Sequence, residues 1–433
     1  TIIMNGFISL IKSLKPYKTE HWIILCILLY SFTGVLKYYI PSVFLNIIVT
    51  ICGSGFIIII LKNKKHIHLR GMTKIIYAFL IMWSICLTFH MLFIADIRST
   101  FVEYHGITTW ILTYLGSPYF LPNLMPFILL VIYKLSYFDF KYLWRVMLLL
   151  CILYLFYYPF AFWNMVHYDW SFNMIGAEWG ESGTYGDFIT NSTMGIASLA
   201  PSVIMIYFKR YISSKYFNFF FVAYILSILL QSFMARRGGL VISLTYLVAA
   251  WCMYSLNDKT TSKIKMVVMA IAVVALCYVL FNNMADSLFA SLIERGTEDT
   301  RESVEQGFYD DMKSTEDWLF GRGWFGQYYE PAFGIYRSSI ETGYLALILR
   351  GGFLYLLPYV TVLALSFFNG YFRSKNLFCK SFALICLMQI ISLYPFGWPA
   401  FNFSHLIIWL GVSVCNSSYM RKLTDNEVTK LCF

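Results

Sequence analysis

Charge is scarce in this chain. Only 13% of its 433 residues are charged, whereas 59% are hydrophobic. A water-soluble domain of this length would hold more charge and far fewer continuous apolar runs. Those runs do not alternate in polarity, which excludes the strands of a membrane β-barrel. Cysteine is missing from the longest hydrophilic segment, 285–339, and no CxxC or Cys/His ligand cluster occurs. Neither a structural zinc site nor a disulfide framework is therefore expected. The ten cysteines fall within apolar runs, as at Cys26, Cys52, Cys86, Cys151, Cys252, Cys277, Cys386 and Cys415, or near the expected inner face at Cys379 and Cys432. There they serve as small apolar packing groups. No divalent-metal ligand motif and no cofactor motif is apparent.

What the chain has in quantity is apolar sequence of membrane length. A bilayer core of about 30 Å takes roughly 20 residues of helix. Twelve such segments are expected, at about 21–39, 40–62, 75–96, 116–134, 142–163, 188–208, 216–235, 239–256, 266–284, 340–369, 380–396 and 402–418. The fold class is all-α, a polytopic helical membrane protein. Ahead of the first span, "NGFISLIKSLKPYK" reads as an interfacial amphipathic helix rather than a cleavable signal peptide. With the N-terminus inside, every cytoplasmic loop is basic, notably "KNKKHIHLRGMTK", "FKRYISSK", "NDKTTSKIK" and "FRSKNLFCK". The formal net charge of +10 is thus a topology signal and calls for no nucleic-acid partner.

Three regions follow: 1–284 with nine spans and the interfacial helix, an outer loop at 285–339, and 340–433 with three spans and a cytoplasmic tail. A loop of that length is functional or disordered as a rule. This one carries Trp318, Phe320, Trp324, Phe325, Tyr328 and Tyr329, too many aromatics for disorder. It is expected to be an ordered cap, helical at first and irregular over its glycine-rich second half.

Arg236 and Arg237 stand at the outer end of the seventh span, against the positive-inside bias, and two glycines follow them. Adjacent guanidinium groups can hold phosphate oxygens in planar, bidentate fashion. Snorkelling to headgroups or pairing with a loop carboxylate is the alternative.

That turn, then "LFGRGWFGQY" late in the loop, then "SSIETGYLALILRGGFLYLL", resembles the bacterial O-antigen polymerase and ligase superfamily over about 170–370. The resemblance implies a GT-C-like glycosyltransferase of the bacterial inner membrane with its site facing the periplasm. Donor and acceptor would be oligosaccharides on undecaprenyl diphosphate, and the resemblance admits a chain-length-regulating membrane protein as a partner beside the lipid bilayer. Ligases of this superfamily carry a histidine near the start of the span after the long loop. Here that position reads "IETGYL", and no histidine lies between His167 and His405, which favours the polymerase over the ligase. A lipid-linked-oligosaccharide flippase or transporter is the alternative from another class, with "RRGGL" and "RGGFL" as a faint echo of a repeat.

Displacing a diphosphate from an anomeric carbon calls for positive charge aimed at the leaving group. Arg236, Arg237, Arg322, Arg337 and Arg350 are the candidates; Arg350, some ten residues into the tenth span and followed by Gly351 and Gly352, could touch the diphosphate or tie down a helix break. Trp324 would stack on a sugar ring, and Arg322 has a plain loop turn as its other reading. Glu341 is the candidate base or hydroxyl-orienting carboxylate, with Tyr344 nearly on the same helical face. Glu341 could equally be a favourable charge at a helix N-terminus or a salt-bridge partner of Arg337. Glu178, Glu181 and Asp187 stand in reserve, and His105 and His167 read as structural. Arg237→Ala is expected to abolish glycan extension while the protein stays folded in the membrane. Extension at the normal rate would remove the phosphate-clamp role of this pair.

Overall fold

The computed structural model describes residues 10, 12–39, 43–63, 67, 69–93, 121–132, 135, 138–155, 214–233, 241–250, 302–324, 326–331, 334–338, 340–394 and 399–433. These residues are mostly helical. They divide into two compact units, one of Thr1–Gly34, Ser42–Val146 and Thr300–Phe433, the other of Val35–Pro41 and Met147–Asp299. Helices α1 (Thr19–Tyr39), α2 (Val43–Lys62) and α3 (Met72–Phe93) come first, then a short α4 (Leu121–Leu124) running into a 3₁₀ turn at Met125–Leu130, and α5 (Phe140–Leu155). In the second unit lie α6 (Ser214–Phe233) and α7 (Val241–Ala250). Tyr224 of α6 donates its hydroxyl to the Ser243 carbonyl of α7 at 3.0 Å.

The first unit resumes with α8 (Glu302–Asp311), α9 (Thr315–Phe320) and a hairpin of β1 (Tyr328–Glu330) and β2 (Ile335–Arg337). Then come α10 (Gly343–Gly351), α11 (Phe353–Phe372), α12 (Leu377–Ser392), α13 (Phe403–Asn416), α14 (Ser418–Lys422) and α15 (Asp425–Cys432). Among the described residues, Met72–His90 and Phe353–Phe372 are long and apolar enough to cross a bilayer, and α12 and α13 are shorter apolar helices. The expected spans 188–208 and 266–284 lie outside the described residues, as do Arg236, Arg237, Glu178, Glu181, Asp187, His105 and His167.

The local sequence explains where the later helices begin. Asn376 and Asn402 each accept a backbone N–H three residues on, from Cys379 and His405, as N-caps do. Thr424 and Glu427 form a reciprocal capping box at the start of α15. α11, α12 and α13 pack around fully buried Tyr359, Phe382 and Trp409. The helices come close at Gly370, where an added Cβ would meet Cys415 Sγ at 2.5 Å and Ala383 Cβ at 2.9 Å. A buried polar chain crosses the same interface: Asn369 donates to Asn416 at 2.9 Å, and Asn416 donates to Ser366 at 2.9 Å. Each polar group there has its partner, as burial demands.

Two expectations need correction. The glycine-rich second half of the loop is not irregular throughout. Ser314 accepts the Asp317 N–H and starts α9, and Tyr328↔Arg337, Tyr329↔Tyr336 and Glu330↔Ile335 pair as an antiparallel ladder. Nor is 340–369 one continuous helix. Gly352 adopts φ 63°, ψ −166° and ends α10, so the long helix starts only at Phe353. This backbone conformation favours glycine.

The break is also where the loop meets the bundle. An added Cβ at Gly352 would overlap the Leu319 carbonyl, and one at Gly321 would stand 2.6 Å from both Gly351 N and Ile348 O. Arg322 donates its backbone N–H to Leu349 O at 2.7 Å, and Trp83 of α3 donates Nε1–H to Gly351 O at 2.9 Å. Gly352→Ala is expected to destabilise the protein by about 2–4 kcal/mol, through left-handed strain plus overlap. Gly334→Ala, at a similar φ of 63° with nothing within 4 Å, should cost only the strain, about 1–2 kcal/mol. Thermal unfolding of the two variants in detergent checks this, and equal shifts would contradict the close backbone contact at Gly352.

Candidate functional site

The segment 302–342 folds over the end of the bundle and carries most of the described candidates. Its centre is Phe308, fully buried, with Trp318 at 5.9 Å and Tyr328 at 5.5 Å in edge-on contact. Arg322 ties the layers of this cap together. Its Nη1 donates to Asp311 Oδ2 and, at 2.9 Å, to Gln327 O, while Nη2 donates to Asp311 O at 2.8 Å and Asp317 Oδ2 at 2.9 Å. Burial works to lower the Arg322 pKa, but the hydrogen bonds and charges of Asp317 and Asp311 outweigh it and hold the pKa above its ordinary value. Four acceptors occupy the guanidinium fork, so the expected phosphate role of Arg322 is replaced by a structural one.

Arg337 is also engaged. Its Nη1 donates to Glu330 Oε2 at 2.6 Å, across the hairpin, and the Glu330 side chain is fully buried. About a third of the Arg337 side chain stays exposed, so one edge still faces solvent. Tyr328 lies beside this pair and its pKa is pushed up to about 12, first by burial and then by the charges of Glu330 and Glu341, with Arg337 acting in the opposite sense. Glu330, Arg337 and Glu341 therefore each lie within electrostatic reach of Tyr328.

Glu341 itself is exposed and stands two residues ahead of the start of α10. Next to it, Thr342 is the N-cap residue, but its hydroxyl donates to Glu305 Oε1 instead of capping. Gly343 donates its N–H to Leu393 O at 2.8 Å, which brings the end of α12 alongside. Tyr344 then stacks on Tyr394 at 6.4 Å and 23°. Glu305 and Tyr309 are close enough to act electrostatically on Tyr344. The Tyr309 pKa is raised by burial and by Glu305. Tyr394 is 69% exposed and Tyr309 42%. Glu305 and three tyrosine rings, Tyr309, Tyr344 and Tyr394, thus meet at one corner of the cap, and exposed Glu341 lies three residues ahead of Tyr344 in the chain.

Arg350 and Trp324 lie at the other end of α10, and this corrects two expectations. Nine residues of helix span about 12 Å along the axis, so Arg350 stands well apart from Glu341. It precedes Phe353–Phe372 and is not in the middle of a span. The Arg350 guanidinium lies over the Trp324 ring at 5.4 Å from the centroid, and both side chains are buried, at 2% and 3% exposure. Trp324 also meets Tyr355 edge-on at 6.0 Å. A cation over an indole face is a favourable buried pairing, and it leaves Trp324 no face for a sugar ring. Gly323, at φ 83°, lets the chain approach the His90 ring, where an added Cβ would stand 2.9 Å from Nδ1. This arrangement seats the cap on α3.

The structure thus sets Tyr344 beside Glu305, Tyr309 and Tyr394, leaves Glu341 exposed just ahead of α10, pairs Arg350 with Trp324 at the other end of that helix, and uses Arg322 inside the cap. Glu305, Tyr309 and Tyr394 were missed. Glu305, Phe308, Tyr309 and Met312 recur at helical spacing in "ESVEQGFYDDM", a pattern that would have revealed α8 and its exposed edge. Among the described residues no three His, Cys, Asp or Glu side chains converge as a metal site requires. No protein-family model matches this chain, and no curated protein or solved structure matches it either.

Arg322→Ala is expected to loosen the cap by about 1–2 kcal/mol. That is the scale of charge-assisted hydrogen bonds, discounted because the side chain is 24% exposed. Limited proteolysis should cut 302–338 faster in this variant, and Arg322→Lys should not restore protection, since an ammonium cannot serve the same fork of acceptors. Unchanged cleavage would contradict the structural role.

Proposed function

We propose that this protein is a polytopic glycosyltransferase of the bacterial inner membrane that polymerises undecaprenyl-diphosphate-linked oligosaccharide units into O-antigen or a related surface polysaccharide. The carboxylate–tyrosine corner of Glu305, Tyr309, Tyr344 and Tyr394, with exposed Glu341 just ahead of it in the chain, is the observation that carries this reading. Aromatic faces accept the apolar faces of sugar rings, and carboxylates accept sugar hydroxyls. The corner stands where the cap meets the ends of α10 and α12.

The apolar exterior supports the membrane assignment. Ile75, Met82, Ile85 and Phe89 on α3, and Leu357, Phe368 and Phe372 on α11, are all exposed. Large side chains of this kind cluster in contact with water only at a considerable cost, whereas acyl chains would cover them.

In the proposed reaction an acceptor sugar lies against Tyr344 and Tyr394, with its attacking hydroxyl directed to Glu341. The hydroxyl oxygen forms the new bond to the anomeric carbon as the bond from that carbon to the diphosphate oxygen breaks. The proton passes to the Glu341 carboxylate, and the bond's electron pair leaves with the polyprenyl diphosphate. Arg236 and Arg237, outside the described residues, remain the candidates for neutralising that leaving group. The solvent-facing edge of Arg337 is a second contributor.

Purified protein mixed in detergent with polyprenyl-diphosphate-linked repeat units, and no other protein, tests the reading. A ladder of longer lipid-linked glycans is expected, and Glu341→Gln should slow its growth by about 100-fold or more, the scale of general-base catalysis. Glu341 is exposed, so the variant should fold. Folded wild-type protein that makes no ladder would overturn the polymerase assignment, and transfer to a lipid A core acceptor would mark a ligase.

A further inference from the structure

Thr342 departs from what its position asks of it. It is the N-cap residue of α10, with the extended backbone of an N-cap, but its side chain accepts no N–H of the first turn. A threonine there ordinarily makes that bond. Instead its hydroxyl, on a side chain only 2% exposed, donates to Oε1 of Glu305, in α8. Departures of this kind collect at functional sites.

Three consecutive residues each hold one part of the arrangement. Thr342 holds the Glu305 carboxylate, Gly343 donates its N–H to Leu393 O at 2.8 Å, and Tyr344 stacks on Tyr394, the residue after Leu393, at 6.4 Å and 23°. Consecutive Cα atoms lie about 3.8 Å apart, so carboxylate and ring pair are tethered to points of the chain less than about 8 Å apart. Tyr309 follows Glu305 by one helical turn on the same face of α8. Glu305 is half-buried, and Tyr309 and Tyr394 are exposed. Oε1 of Glu305 is taken by Thr342, and among the described residues no donor meets Oε2. A tie between α8 and α10 needs no charge there, because a glutamine amide oxygen would accept the same hydroxyl. A carboxylate with one oxygen fixed and the other open is an oriented, charged acceptor for a hydroxyl from outside.

We propose that Glu305 selects the acceptor sugar: its Oε2 accepts a second ring hydroxyl, distinct from the attacking one, while the ring lies against Tyr344 and Tyr394. Thr342 is a positioning residue that holds the carboxylate beside the rings. The ligand class is a pyranose with two open hydroxyls, one to be glycosylated and one to be read. A sugar deoxygenated or acylated at the second position leaves the charged oxygen without its partner and is rejected. The role of Glu305 rests on the glycan reading above and is separate from that of Glu341.

The test uses the full chain in detergent and the soluble repeat-unit oligosaccharide released from its lipid, with a monodeoxy analogue for each open hydroxyl of the acceptor sugar. Calorimetric titration reads binding, and the lipid-linked ladder reads transfer separately. Wild-type protein should bind one analogue at least about tenfold more weakly than the parent, the scale of one hydrogen bond to a charged group. Glu305→Ala should bind the parent as weakly as that analogue, so that the discrimination disappears. Thr342→Val, which keeps the shape and removes the hydroxyl, should reduce the discrimination while leaving that analogue's own affinity unchanged. A merely structural role would weaken every ligand alike. Equal binding of all analogues by the wild type would overturn the proposal, as would absence of oligosaccharide binding or discrimination that survives Glu305→Ala. A ladder without discrimination would overturn the role of Glu305 alone, whereas discrimination without a ladder would support it and overturn the polymerase assignment.

Discussion

Backbone packed directly against backbone joins the cap to the helix bundle. Gly321 abuts the last turn of α10, Gly352 abuts the carbonyl of Leu319, and neither position has room for a single carbon more. The Arg322 N–H to Leu349 O bond closes the contact. Interactions at this range leave little play, because interiors are close-packed and do not deform gradually. Most of what distinguishes this chain from a plain row of apolar helices depends on that junction.

Its first consequence is the placement of α10. A helix of nine residues would be marginal alone. Here both ends are held, at Gly343 by Leu393 and at Gly351 by Trp83, and all its residues except Tyr344 are buried. Tyr344 therefore faces out at a defined position next to Tyr394. The second consequence is a division of labour among the arginines. Arg322 and Arg350 are drawn into holding the cap and its seat, Arg337 braces the hairpin against Glu330, and the exposed corner is left with carboxylates and tyrosines. Charge-assisted bonds within a partly buried cap are stronger than the same bonds at an open surface.

Much of the architecture was legible in the residues. Scarce charge and long apolar runs point to helices, and the aromatics of 318–329 point to an ordered cap, because both signals depend on composition over many residues. What escaped detection depends on single positions. "LRGGFL" reads equally well as helix until Gly352 is seen at a positive φ against Leu319. "GRGW" reads as an open, ligand-ready turn until Asp311 and Asp317, eleven and five residues away, are seen to close on Arg322. Trp324 has the look of a sugar platform until Arg350 is found lying over it. Each of these depends on a partner distant in sequence, which periodicity cannot supply. That Glu341 and Tyr344 stand at a helix start was legible, because their nearly one-turn spacing is a local feature.

The most direct test of this account is amide hydrogen exchange across 302–352 in the detergent-solubilised protein. If cap and bundle are locked at Gly321 and Gly352, the Arg322 and Gly352 amides should exchange together and as slowly as the amides in the middle of α11, since opening either would require undocking the cap. Fast exchange over 302–330 beside a protected α11 would mean that the cap folds and opens on its own, and the account of a fixed surface built on that junction would be wrong.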